Sequence, residues 1–342
     1  MSFFPTRAAF AQTLAALPGP HEAAIEAARE RQSQLTKPAG SLGRLEDIAI
    51  FMAGWQNRTI PAIDKGRTAI FAGNHGFMVH GVSAFPVSVT QAMVANYGAG
   101  GAAINALAGF AGMDLTIVPL ELDRPTADFT QGPAMSEEEC LAALNAGAAA
   151  VTPDLDLLTV GEMGIGNTAS ASALCAHSLG GSAAHWVGPG SGLDPEGVAR
   201  KAAVVGQALA LHADAPNNAK HDAFETLRRL GGREVAAMAG ATLAARAQRI
   251  PVVLDGFINC AALVPLFVDN PAIVDHCLAG HCSAEPGHVR ILETFGLSPL
   301  LSLGLRLGEG SGAALAVPII RAALAAHAQM ATFADAGVEK SL

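Results

Sequence analysis

Hydrophobic positions along the chain fall into two textures. Up to about residue 60 they recur at helical spacing. Ala23 to Leu35 sets apolar residues among Glu, Arg and Gln, and after a break at Pro38-Ala39-Gly40 the pattern resumes through Leu45, Ile48, Ile50 and Met52. Ser41 stands where a helix cap is expected, although Arg44 rather than an acid follows it three residues later. Beyond Pro61 the apolar residues gather into short unbroken runs that end in glycine. Thr68 to Ala72 stops at Gly73-Asn74-His75, Leu115 to Val118 begins another run, and Leu157 to Val160 stops at Gly161-Glu162. His185-Trp186-Val187 stops at Gly188-Pro189-Gly190, and Val252 to Leu254 at Asp255-Gly256. Alanine-rich helical stretches separate these runs. Continuous apolar strands alternating with helices predict an α/β fold, a parallel sheet covered by helices on both faces.

The stretch from Pro318 to Ala336 is again helical and is expected to pack with the N-terminal helices as a small helical domain drawn from both termini. That divides the chain into residues 1–60, the N-terminal part of the small domain; 61–300, an α/β substrate-binding domain; and 301–342, a catalytic loop and the C-terminal helix.

Composition narrows the picture. With 51% hydrophobic and 15% charged residues the chain is no disordered polymer, and 5% aromatics beside 37 glycines imply a core of Ala, Val, Leu and Ile with many tight turns. A formal charge of -9 argues against nucleic acid, whose phosphates demand a basic surface, but leaves room for a small anion held by backbone amides. Between Thr68 and Met113 there is no Asp, Glu, Lys or Arg, yet polar residues interrupt the stretch, so it reads as a buried, substrate-lined segment and not a membrane span. No secretory pattern opens the chain, and five scattered cysteines fit reduced thiols, which together predict a cytoplasmic protein. The cluster His276, Cys277, His281, Cys282 and His288 matches no zinc-finger spacing, so a structural or substrate-site role is favoured and no metal is expected.

The glycines lie at the carboxyl ends of the predicted strands, the edge where open α/β sheets bind ligands. In Gly161-Glu162-Met163-Gly164-Ile165-Gly166-Asn167-Thr168 the glycines permit close backbone approach, and free amides at the following helix start suit a phosphate. A carboxylate opposes phosphate, so Glu162 points instead to a ribose hydroxyl or a positioned base. A second loop runs through Gly188, Gly190, Ser191 and Gly192. Lys201 follows on a helix, where spacing alone favours a solvated lysine. Neither loop ends in the Gly-Lys-Ser/Thr of a P-loop, and neither fits the dinucleotide fingerprint that a nicotinamide-dependent oxidoreductase requires. In Arg306-Leu307-Gly308-Glu309-Gly310-Ser311-Gly312 an acid sits between glycines ahead of an apolar helix. Surface turns prefer Asp or Asn, and burial would raise such a carboxyl toward useful basicity.

These motifs resemble the nicotinate-nucleotide:dimethylbenzimidazole phosphoribosyltransferase family of cobalamin lower-ligand synthesis. The likeness extends over Leu35 to Glu46, Asn74-His75-Gly76, Gly81 to Pro86, Gly100 to Asn105, Leu254 to Phe257 and His281 to Glu285. The resemblance implies a Rossmann-like sheet, a homodimer, no cofactor, and nicotinate mononucleotide with a benzimidazole base as substrates. It places Glu309 as the catalytic base and Glu162 and Lys201 near the ribose phosphate. The loops around Gly164, Gly166, Asn167, Thr168, Gly190, Ser191 and Gly192 would bind phosphate, with Leu307 and Gly308 also at the substrate. Where some family members carry Ser and Gln, this chain has Phe85 and Met93, implying a more apolar base pocket. A non-catalytic nucleotide binder on the same fold is the remaining rival, against which Glu309 in its glycine frame argues.

Overall fold

The computed structural model describes residues 2–213 and 222–339. Its strands are β1 (Gly66–Ala72), β2 (Asp114–Pro119), β3 (Leu157–Met163), β4 (Val252–Leu254), β5 (Cys277–His281) and β6 (Pro299–Leu301). They form one sheet in the order β2-β1-β3-β4-β5-β6, with every pair parallel. β1 has β2 on one side and β3 on the other, so the winding reverses between β1 and β3. A crevice opens at the carboxyl ends beside such a reversal.

Alternate residues feed two cores. Ile70, Leu157 and Val253 point toward the helices Arg44–Gln56, Ala103–Ala111 and Ser311–Gln329, where they meet Met52, Ile104, Val317 and Ile320. Phe71, Leu158, Val252 and Leu254 point to the other face, into the core that holds the helices Asn167–Leu179, Arg233–Ala247 and Phe257–Asp269. Ser311–Gln329 is the one helix among the described residues long and apolar enough to cross a membrane, and more than half of it is buried against the sheet and its neighbours.

Several elements differ from the pattern-based expectation. β3 does not stop at Val160: Gly161, Glu162 and Met163 continue it, in register with Ile70, Phe71 and Ala72. His185-Trp186 is not a strand but the end of a short helix, Ala183–Trp186, with the indole donating to Gly180 O at 2.8 Å. β5 and β6 lack long apolar runs, and a proline opens β6, which is tolerated because β6 is an edge. Ser41 does not cap the next helix. Glu46 instead takes the Leu42 amide at 3.0 Å and pairs with Lys37 at 2.8 Å, while the helix starts from Gly43 in a left-handed conformation. The helix Arg7–Ala15 packs away from the other terminal helices, with Phe10 edge-on to Phe224 at 6.1 Å in the opposite core. Nor is the uncharged stretch from Thr68 to Met113 buried throughout, since Val79 and Phe110 are exposed.

Candidate active site

One cavity of about 350 Å³ lies across the carboxyl ends of β3, β4 and β5. Four helices begin at or next to its wall, after Gly166, Gly256, Glu285 and Gly310, so the positive ends of four helices gather around it. Every residue given a catalytic or substrate-binding role from the sequence lines this cavity except Gly192. The Gly192 amide closes a turn onto Pro189 O at 3.2 Å and keeps the residue out of the lining.

One end is built for an anion. Gly166, at φ +91, opens the helix that starts at Asn167, and Thr168 offers its hydroxyl. The loop through Gly190 and Ser191 faces them. Lys201 is only 1% exposed, contrary to the solvated lysine that spacing favours. The helix Pro195–His212 carries it under the loop, where Nζ donates to Gly188 O at 2.9 Å and Thr168 Oγ1 at 3.1 Å. Burial brings its ammonium down to about 8, with the charge of Glu285 acting against that fall.

The other end is apolar, lined by Val82, Phe85, Val89, Met93 and Leu307. It suits a flat, uncharged ring.

The carboxyl groups of Glu162 and Glu309 line the cavity as well. Gly308, Glu309 and Gly310 form three successive left-handed residues, at φ +82, +61 and +74. Two of these positions are glycine, for which the conformation is nearly free. For Glu309 it costs roughly 1–2 kcal/mol, held by the packing around it. That packing is close. A Cβ on Gly161 of β3 would lie 2.5 Å from Gly310 N and 2.6 Å from the Glu309 carbonyl carbon, so the loop rests directly on the strand backbone. Ser311 Oγ locks the turn by donating to Gly308 O at 2.7 Å.

The Glu309 carboxylate is buried, and its Oε2 has no hydrogen-bond partner. Burial raises its affinity for a proton, the neighbouring Tyr97 hydroxyl lowers it, and the charge of Asp255 raises it again, leaving the carboxyl above the usual range. Glu162 is pushed up to about 8 by burial, against the hydrogen bond that Asn167 donates and with the charges of Asp255, Glu234 and Glu309. It is therefore protonated at neutral pH. Asp255 accepts from Ala313 N at 2.9 Å, capping the helix Ser311–Gln329, and lies 3.5 Å from His281 Nε2.

Asp255, Ser283 and Glu285 also face the cavity, although no role was assigned to them from sequence, and so does His281, from the cluster for which a structural or substrate-site role was expected. Asp255 follows β4 and the other three end or follow β5, so recognising β5 as a strand would have placed them at the ligand edge. The histidine–cysteine cluster, meanwhile, is divided. His276 turns away, bonding Thr242 O at 3.2 Å and packing edge-on to Trp55, and burial brings it down to about 3. His288 bonds Cys260 Sγ at 3.3 Å, and only His281 reaches the cavity. Among the described residues no three His, Cys, Asp or Glu side chains form a group that could hold a metal ion.

A parallel sheet with a cavity on its carboxyl edge, beside the winding reversal, defines an α/β enzyme that holds its ligand between helix starts and strand ends. A model of the family described as phosphoribosyltransferase matches residues 17–338, and the chain belongs to that family. It is similar to the nicotinate-nucleotide–dimethylbenzimidazole phosphoribosyltransferase of Novosphingobium aromaticivorans, 69% identical over 342 residues with both chains fully covered. The enzyme of the same name from a Ruegeria species is 56% identical over 329 residues, 96% of each chain. The crystal structure of the Thermus thermophilus enzyme of that name matches with TM-score 0.85 at 39% identity, covering 94% of this chain and all of that one. Family membership sets aside the oxidoreductase and the non-catalytic binder.

Proposed function

We propose that Glu309 is the general base of this phosphoribosyltransferase, which transfers ribose 5-phosphate from nicotinate mononucleotide to 5,6-dimethylbenzimidazole. The products are α-ribazole 5′-phosphate and nicotinate. The observation that carries the assignment is the buried Glu309 carboxylate with an unpartnered oxygen, in a cavity lined also by Lys201 with two glycine loops and by a set of apolar side chains. The chemistry asks for little more. In the mononucleotide the pyridine nitrogen is already cationic, so nicotinate leaves without an acid. The incoming benzimidazole bonds to the anomeric carbon through one nitrogen and must lose the proton on the other. A raised carboxyl takes that proton, a contribution typically worth ~10²–10⁴ in rate.

Attack from the face opposite the leaving group converts the β linkage to α. The phosphate is held by the loops Gly166-Asn167-Thr168 and Gly190-Ser191 together with Lys201. Glu162, neutral at pH 7, donates to or accepts from a ribose hydroxyl, and Gly164 lets the sugar approach the backbone. Phe85, Met93, Leu307 and Gly308 enclose the base. No pyrophosphate is transferred, so the reaction needs no metal.

The enzyme acts in the cytoplasm as a homodimer in this reading. Five free thiols fit a reducing compartment, and Phe85 and Leu307 leave an exposed apolar rim for a second copy to cover. Residues 1–60 and 301–342 act together as the small unit that carries the Glu309 loop over the α/β unit of 61–300. Contact between the Arg44–Gln56 and Ser311–Gln329 helices supports this, although Arg7–Ala15 lies apart. The reaction is tested by incubating the protein with nicotinate mononucleotide and a panel of benzimidazoles, then separating products by chromatography. Free nicotinate without a ribosylated base would contradict transfer and indicate hydrolysis.

A further inference from the structure

Glu285 stands at the anion end of the cavity, where a carboxylate works against phosphate binding. It immediately precedes the helix Pro286–Phe295 but caps none of its amides, so its side chain has no local structural duty there. Its Oε2 lies so close over Gly188 that any Cβ at that position would overlap it, which presses the carboxylate flat against the loop backbone. Burial raises the proton affinity of this carboxyl, and the charge of Lys201 and the facing Gly190 amide act against that rise and favour its ionised form. Lys201 reaches the loop as well, with its hydrogen bonds going to Gly188 O at 2.9 Å and Thr168 Oγ1 at 3.1 Å. A Cβ on Gly190 would lie 3.2 Å from both Lys201 Nζ and Thr168 Oγ1, so the amide, the ammonium and the hydroxyl converge on one small space.

We propose that Glu285 is the resident anion of this cradle: in the empty enzyme its carboxylate stands in for the substrate phosphate against the Gly190 amide, and nucleotide binding exchanges one for the other. The inference rests on the reading that the Gly166 and Gly190 loops bind phosphate. A cradle without an anion leaves the buried Lys201 ammonium with only neutral partners, Gly188 O and Thr168 Oγ1, and a buried charge without a counter-charge is costly. An internal carboxylate offsets part of that cost but must be displaced by every phosphorylated ligand. Arg306, whose charge also acts on Glu285, gives the displaced carboxylate a cation to turn toward. The same exchange run backward helps expel the phosphorylated product. A ligand without a phosphate does not compete with Glu285 and gains nothing from its removal.

The experiment is calorimetric titration of the full chain with inorganic phosphate, nicotinate mononucleotide and the dephosphorylated nicotinate riboside. Wild type is compared with Glu285→Gln, Glu285→Ala and Lys201→Ala. A carboxylate that fills the cradle about 90% of the time weakens apparent affinity about tenfold. Both Glu285 variants are therefore expected to bind phosphate and the mononucleotide about tenfold more tightly, with riboside binding unchanged. Two Glu285 variants guard against one that fails to fold. Equal or weaker phosphate binding in the folded variant overturns the proposal and makes Glu285 a support of the loop. If Lys201→Ala binds phosphate as wild type does, the cradle reading itself is wrong, a failure distinct from that of Glu285.

Discussion

Gly161→Ala places one methyl group beneath the Glu309 loop without touching any atom proposed to meet substrate. The new Cβ would stand 2.5 Å from Gly310 N, 2.6 Å from the Glu309 carbonyl carbon and 2.5 Å from Ile70 Cδ1. Ordinary contact begins near 3.4 Å, so one partner must retreat by roughly an ångström. β3 is central and buried along its whole length, paired on both sides, whereas the 308–310 turn leads from an exposed segment. The turn is therefore the part that moves, and it carries Glu309 with it. Overpacking of this kind costs ~1–3 kcal/mol of stability, and a catalytic group misplaced by about 1 Å costs ~10²-fold in rate. Thermal unfolding should show a folded protein with a lowered midpoint. Single-turnover product formation should fall about a hundredfold, while mononucleotide affinity, which depends on the Gly190 loop and Lys201, stays near wild type. Turnover within a factor of about three of wild type would refute the claim that Glu309 is placed by its seat on Gly161.

Three further outcomes follow from the same site. Lys201, brought down to about 8, loses its proton as pH rises, so mononucleotide affinity should weaken between pH 7 and 9. Lys201→Ala should lose ~10- to 100-fold in affinity at pH 7 and flatten that profile, as calorimetry at both pH values would show. Glu162, pushed up to about 8, is neutral at pH 7, so Glu162→Gln should keep kcat/KM within about threefold there, whereas Glu162→Ala should lose about tenfold or more. A carboxyl raised above its unfolded value of 4.5 contributes stability below that value and loses it as pH rises through 8. The unfolding midpoint of Glu162→Gln should thus gain on wild type from pH 5 to pH 9. In the slot of Val82, Phe85, Val89 and Met93, one methyl group discriminates by only ~1–3 kcal/mol. A preference above about a thousandfold for dimethylbenzimidazole over benzimidazole, measured by competition, would contradict such loose selection.

How much of this was legible in the sequence depended on whether a residue's neighbours were local. β1, β3 and β4 announce themselves as apolar runs because both of their faces are buried. β5 does not, because its outer residues are Cys277 and His281, one turned into a core and the other into the cavity. Glu309 stood out because the glycines that frame it are adjacent in sequence. Lys201 did not, because its burial comes from a long helix folding back under a loop thirteen residues earlier, at Gly188. Asp255, His281, Ser283 and Glu285 meet only once β4 and β5 lie side by side, which no local pattern encodes. Gly192 misled for the converse reason: its spacing from Gly188 and Gly190 continues the motif, but its amide is needed to close the turn.

The role of Glu309 is tested most directly by Glu309→Gln, which keeps the shape of the side chain and removes its basicity. Nicotinate mononucleotide binding and product formation are measured on the same folded protein, the first by calorimetry and the second under saturating benzimidazole. Binding should stay within about threefold of wild type, and turnover should fall by at least the ~10² expected when a general base is lost. Near-normal turnover in Glu309→Gln would mean that the proton of the incoming base goes elsewhere, and that the buried carboxylate is not the base.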